Sequence, residues 1–198
     1  MVDKYGTEED PDCYSGTSTL INLLNIKDSE TLESAERDIT EVCVAELEFQ
    51  TPPYSLDYLC TIHQQIFQDI YPWAGQLRQV DISKGATHFC NVNFIYSESE
   101  KLFAQFSKQH YFEGLKRENL IPLIAEFYGD LNMIHPFREG NGRTQRILFE
   151  HIIINAGFEI YWEPVDREQW VKANIAAVVC DYKPLEAIFD LCIGNPLA

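Results

Sequence analysis

From about Thr31 to Glu48, the apolar residues Leu32, Ala35, Ile39, Val42 and Leu47 recur at helical spacing and predict one amphipathic helix. A second is predicted to begin near Leu56, after Thr51-Pro52-Pro53. It carries Leu59, Ile62, Ile66 and Ile70 inward and stops before Pro72. Between Gln76 and Asn93 the helical period disappears. Leu77, Val80, Ile82 and Phe89 flank the turn-like cluster Ser83-Lys84-Gly85-Ala86, which suggests a short hairpin. Helical patterning returns at Ser97-Glu98-Ser99-Glu100, which has capping-box spacing, and runs to about Phe112.

Another helix is expected from Ile121 to Ile134, broken by His135-Pro136, and the next from about Gly142 to Asn155. In the latter, Ile147, Leu148, Phe149, Ile152, Ile153 and Ile154 cover almost the whole circumference, which only a central, buried helix tolerates. Gly157 is placed to end it. Two last helices are expected over Asp166 to Val178 and Pro184 to Ile193. The pattern predicts a mostly α single domain over 1–198 with one small β element and a loose N-terminal arm over 1–13.

Composition narrows the function. The chain has 198 residues and a formal net charge of −16, with a pI near 4.6. Such a surface repels nucleic-acid backbones and anionic lipid, so direct DNA, RNA or membrane binding is not expected. The opening MVDKYGTEEDPD has neither a basic stretch nor an apolar one, and no run approaches the ~18 apolar residues of a membrane span. The chain therefore reads as cytoplasmic. Six cysteines, none in CxxC spacing, read as reduced structural thiols rather than a zinc site.

The segment His135-Pro136-Phe137-Arg138-Glu139-Gly140-Asn141-Gly142-Arg143-Thr144-Gln145-Arg146 carries the chemistry. Its glycines let the backbone turn tightly and approach a ligand where a loop enters a buried helix. The free N–H groups and dipole of that helix start attract phosphate. Arg143 and Arg146 share a face of the first turns, and two guanidinium forks there suit a polyphosphate. Glu139 is a hard oxygen ligand, and Mg²⁺ is commonly held by one or two carboxylates plus substrate phosphates. His135 is the one histidine beside the cluster, with an unperturbed pKa of ~6.5 that suits a general base. The set reads as nucleotidyl or phosphoryl transfer. The remaining histidines, His63, His88, His110 and His151, read as surface or packed residues.

At this point the sequence resembles the Fic family, whose signature HPFx[D/E]GNGRxxR stands here as HPFREGNGRTQR. Further likeness lies in Tyr71-Pro72-Trp73-Ala74-Gly75 with Arg78, in Asp81 to Gly85 and Phe89, and in Tyr14 to Thr17 with Leu20, Asn22 and Ile26. Trp170 to Asn174 and Pro184-Leu185 are similar to its closing helices. The resemblance implies a Fic-fold helical bundle with a short β-hairpin flap, and AMP transfer from Mg-ATP to a Ser, Thr or Tyr hydroxyl of a target protein. It makes His135 the base and Glu139 the Mg²⁺ ligand, with Gly140, Asn141 and Gly142 forming the anion hole. Arg143 would contact the leaving group and Arg146 the γ-phosphate, with Asn174 a further nucleotide contact. The flap, carrying Lys84, Gly85 and Phe89, would dock an extended target segment.

Relatives that move the γ-phosphate carry Lys where this chain has Gly142, so AMP transfer is the expected reaction. Many Fic enzymes are held off by a helix bearing [S/T]xxxE[G/N]. Here only Ser29 has Glu four residues on, at Glu33, and Ser34 follows in place of Gly or Asn. The resemblance therefore points to a toxin inhibited in trans by a small antitoxin carrying that helix. Its relatives' targets point to a bacterial type II topoisomerase subunit. A catalytically silent nucleotide- or antitoxin-binding module, transfer of another nucleotide or phosphate group, and a hydrolase using His135 and Glu139 stand as alternatives.

Overall fold

The computed structural model describes residues 10–197. Seven α-helices form the body among these residues: α1 Ser29–Ala45, α2 Leu56–Phe67, α3 Ile95–Lys108, α4 Arg117–Ile134, α5 Asn141–Asn155, α6 Arg167–Ala177 and α7 Lys183–Cys192. Between α2 and α3 lies the expected hairpin, β1 Ser83–Lys84 paired antiparallel with β2 Thr87–His88. Gly85, with φ of 59°, takes the first central position of its two-residue turn. No helix among the described residues is long and apolar enough to cross a membrane.

Helix α5 is the axis of the bundle, as its apolar circumference requires. Ile147, Leu148, Phe149, Ile152 and Ile153 are all buried, packed among Phe67 of α2, Phe127 and Tyr128 of α4, and Phe189 of α7. Burial of this many large side chains on one helix fixes the position of its N-terminus, where the motif loop enters.

Several elements depart from the sequence expectation. A second small sheet pairs β3 Phe158–Ile160 with β4 Ile193–Pro196, so Ile193 opens a strand instead of closing a helix. Helix α4 begins at Arg117, ahead of the expected Ile121, because Pro122 is accommodated within its opening turns. The capping box expected at Ser97 does not cap α3, which starts at Ile95; the Ser97 hydroxyl donates to the Phe94 carbonyl instead. A capping box does form at Asp166 and Gln169, at the start of α6.

Helix α1 faces the core with the expected Leu32 and Ile39, and Leu47 just beyond it packs there too. Val42, also expected inward, is 61 % exposed, and Glu36 and Thr40 join Leu32 in the buried stripe. Of the expected loose arm, residues 1–9 lie outside the described residues. Asp10 and Asp12 pair with Arg138, which is only 3 % exposed, so the chain just before Cys13 is fastened to the motif loop.

Candidate active site

His135 terminates α4 as a left-handed C-cap, with φ of 48° and ψ of 62°. That conformation turns the chain out of the helix and into the motif loop. Its Nδ1 lies 3.1 Å from the Asn132 carbonyl, which only accepts, so the ring proton sits on Nδ1. The neutral ring then carries its basic lone pair on Nε2, the tautomer a general base needs. Phe89, from the strand end of the hairpin, stacks on the imidazole with centroids 3.8 Å apart and planes 15° from parallel. One flap residue picked out from the sequence thus braces the expected base.

Arg78 ties flap and motif together. It is buried, and its Nε donates to the His135 carbonyl at 2.9 Å, while Nη1 donates to Val80 at 2.7 Å and Nη2 to the Cys90 carbonyl. Its backbone N–H reaches the Pro136 carbonyl at 2.9 Å. Desolvation is the main influence on this guanidinium and lowers its pKa, with Asp81 opposing it.

The loop after His135 is shaped by Asn141 and Gly140. The Asn141 side chain accepts from the Phe137 N–H at 2.9 Å and donates to the Phe137 carbonyl at 2.7 Å. Expected in the anion hole, Asn141 therefore gives its side chain to closing the loop and can offer a ligand its backbone N–H. Gly140 caps α5 with φ of 78°, and a Cβ there would stand 2.2 Å from the Phe67 ring. Gly142 is exposed and has nothing within 4 Å of an added Cβ, so the helix start is open on that side. Bare amides at a helix N-terminus form an anion site.

Glu139 accepts the Gly140 N–H at 3.0 Å and remains half-buried at the lip of the loop. No group of three or more metal-binding side chains occurs among the described residues. One carboxylate at a phosphate-binding loop fits Mg²⁺ held jointly with substrate phosphates, and does not fit a cation caged by protein alone.

The two motif arginines are used differently. Arg143 pairs with Glu36 through Nη2, lies 3.3 Å from the Thr40 hydroxyl through Nη1, and sits 4.8 Å over the Phe67 ring. Arg146, half-buried, makes no hydrogen bond or ion pair among the described residues; Tyr128 and Glu150 are within its electrostatic reach. Asn174 donates to the Trp170 carbonyl of its own helix at 2.8 Å, and its buried Oδ1 has no partner among the described residues. No hydrogen bond joins it to the motif. Lys84 and Gly85 occupy the exposed hairpin turn.

The sequence reading passed over His63. This ring is fully buried beneath the motif, stacked on Phe137 with centroids 4.0 Å apart. It is packed, as read, yet it contacts the motif itself. Desolvation drives its pKa down to about 4, so it is neutral. Glu36 was missed as well, and only its four-residue spacing between Leu32 and Thr40 could have signalled it; Tyr71, singled out within the segment leading to the flap, was given no role there.

The Fic/DOC family profile matches residues 53–153, which hold α2, the hairpin, α3, α4 and most of α5. The chain belongs to the Fic/DOC family. It is 38 % identical over 195 residues to a probable protein adenylyltransferase Fic of Escherichia coli, covering 98 % of each chain. It is 34 % identical over 174 residues to the protein adenylyltransferase VbhT of Bartonella schoenbuchensis, covering 87 % of this chain and 36 % of that one. Among solved structures, the N-terminal Fic domain of a putative cell filamentation protein of Bartonella quintana, with bound ADP, superposes with a TM-score of 0.86. That domain is 27 % identical, and the match covers 96 % of this chain and 97 % of that one.

Proposed function

We propose that this Fic/DOC chain is a protein adenylyltransferase, moving AMP from ATP to a hydroxyl side chain of another protein. The observation that carries the reading is the pinned tautomer of His135 beside the open N-terminus of α5. His135 Nε2 takes the proton of the target hydroxyl as its oxygen bonds to the α-phosphorus. The bond from that phosphorus to the bridging oxygen breaks, and pyrophosphate leaves. The Gly140 N–H is taken by the Glu139 carboxylate, so the amides of Asn141 and Gly142 hold the phosphate oxygens, and Arg146 offers its donors to the far end of the polyphosphate. Glu139 would hold Mg²⁺, which when bound neutralises phosphate charge.

The supporting relatives are the curated adenylyltransferases and the ADP-bound Fic domain. The hairpin offers the edge of a two-stranded sheet, the geometry that accepts an extended target segment by strand addition. The further reading is a cytoplasmic toxin, restrained by a small antitoxin and directed at a bacterial type II topoisomerase subunit. Restraint in trans and the target class both rest on the family resemblance, together with the lack of any [S/T]xxxE[G/N] match in the 198 residues.

Bacterial lysate incubated with the chain and ATP labelled on either the α- or the γ-phosphate tests the reaction. Label from the α-position alone on protein supports AMP transfer. Label from the γ-position identifies phosphoryl transfer instead, and nucleotide binding with neither label transferred identifies a silent module.

A further inference from the structure

Helix α1 buries a carboxylate where its pattern calls for an apolar residue. Glu36 is 8 % exposed and follows Leu32 and precedes Thr40 on the inward stripe. A buried carboxylate is costly unless it is paired and hydrogen-bonded on both oxygens. Both are used here: Oε1 takes the Arg143 guanidinium and Oε2 takes the Tyr71 hydroxyl. Tyr71 is buried in turn, and desolvation together with the Glu36 charge pushes its pKa well above the ordinary phenol range. It is a permanent donor.

These contacts hold Arg143 in one place. Nη2 is bound to Glu36, Nη1 lies against Thr40, and the Phe67 ring supports the guanidinium from one side at 4.8 Å. Phe67 is the same ring that underlies Gly140, so the guanidinium is held beside the phosphate loop by the surface that shapes the loop. Thr40 is itself oriented, donating its hydroxyl proton to the Glu36 carbonyl at 2.7 Å. A guanidinium has five N–H donors, and these two partners engage only part of the fork. What remains can meet phosphate without the arginine first being ordered.

We infer that Glu36 is a positioning residue for nucleotide transfer, acting through Arg143, with Tyr71 holding Glu36 in turn. The claim rests on the adenylyltransferase reading and deepens it. It assigns the two motif arginines unequal tasks: Arg143 is fixed in advance from α1, and Arg146 is left to be ordered by the nucleotide. A fixed donor costs no reorganisation when charge develops on the leaving phosphates.

A two-by-two comparison tests this: unmodified chain, Glu36→Gln, Arg143→Ala and the double variant. Gln keeps the size of Glu and can still accept from Tyr71. ATP affinity by calorimetry and AMP transfer by α-label are measured for each protein, per folded molecule. Glu36→Gln alone should weaken ATP binding about fivefold and slow transfer about tenfold. In the Arg143→Ala background it should change neither by more than about twofold. Tighter ATP binding or faster transfer in Glu36→Gln would mean the carboxylate competes with phosphate, and overturns the inference. Equal losses in both backgrounds, or a lowered Tm with unchanged binding and turnover, overturn it too. If the unmodified chain transfers nothing, the adenylyltransferase reading fails, and the binding comparison still decides the role of Glu36.

Discussion

The imidazole of His63 donates from Nε2 to the backbone carbonyl of Glu139 at 3.0 Å, because its Nδ1 is taken by the Gly75 N–H at 2.8 Å. A carbonyl only accepts and an amide only donates, so the two bonds fix one neutral tautomer. One ring from α2 thus connects the segment leading into the flap with the peptide that bears the candidate metal ligand.

That neutral state makes stability depend on pH. His63 has a folded pKa of about 4 against 6.5 for a free imidazole, so between these values the unfolded chain binds the extra proton. Stability is therefore fully present above about pH 6.5 and falls as pH drops toward 4, by about 3 kcal/mol from this group. His63→Gln keeps a donor and an acceptor but does not titrate. Urea unfolding at pH 7 and pH 4 should show the unmodified chain losing more stability than the variant by about that amount. Equal losses would refute the assignment.

Two glycines of the motif should respond oppositely to alanine. At Gly140 a methyl group meets the Phe67 ring and the left-handed backbone, so Gly140→Ala should cost about 3 kcal/mol or more and abolish transfer. At Gly142 nothing lies within 4 Å and the backbone is helical, so Gly142→Ala should leave stability equal or raise it by up to about 1 kcal/mol. Thermal unfolding of both variants provides the check.

Arg138 occupies the variable position of the signature, and its role here is to anchor Asp10 and Asp12. Removing one partner of a buried ion pair leaves an uncompensated charge. Asp10 and Asp12, which would be left unpaired, keep some contact with water, so Arg138→Ala should destabilise the chain by about 1–3 kcal/mol. Limited proteolysis should then cut near residue 12 faster than in the unmodified protein.

The chemistry of the site was far more legible in the sequence than its supports. His135, Glu139, Gly140 and the two arginines announce themselves because one short segment carries every group, and local backbone rules dictate a loop entering a helix. The hairpin was readable for the same reason, since Gly85 fills a turn position that favours glycine. Glu36 and His63 were not, and Tyr71 was singled out without a role, because each acts on the motif across a long stretch of chain and looks in isolation like an ordinary helix or core residue. On α1 the burial of Glu36 and Thr40 was not foreseen because both are polar, and the Arg143 and Tyr71 partners explain it. The β3–β4 pair escaped notice since its strands are too short to show alternation and meet only in the folded chain.

Phe89 should influence turnover more than nucleotide binding, since it touches the base and not the phosphate loop. Phe89→Ala frees the imidazole to rotate and should slow transfer about tenfold, with ATP affinity within about twofold of the unmodified chain. Steady-state transfer and calorimetry together separate the two effects.

The most direct measurement is AMP transfer and ATP binding by His135→Ala, made side by side with the unmodified chain. If the Nε2 lone pair of His135 removes the hydroxyl proton, the variant should bind ATP with unchanged affinity and transfer AMP at least about 100-fold more slowly. Transfer at the unmodified rate by a variant that binds ATP normally would contradict the account.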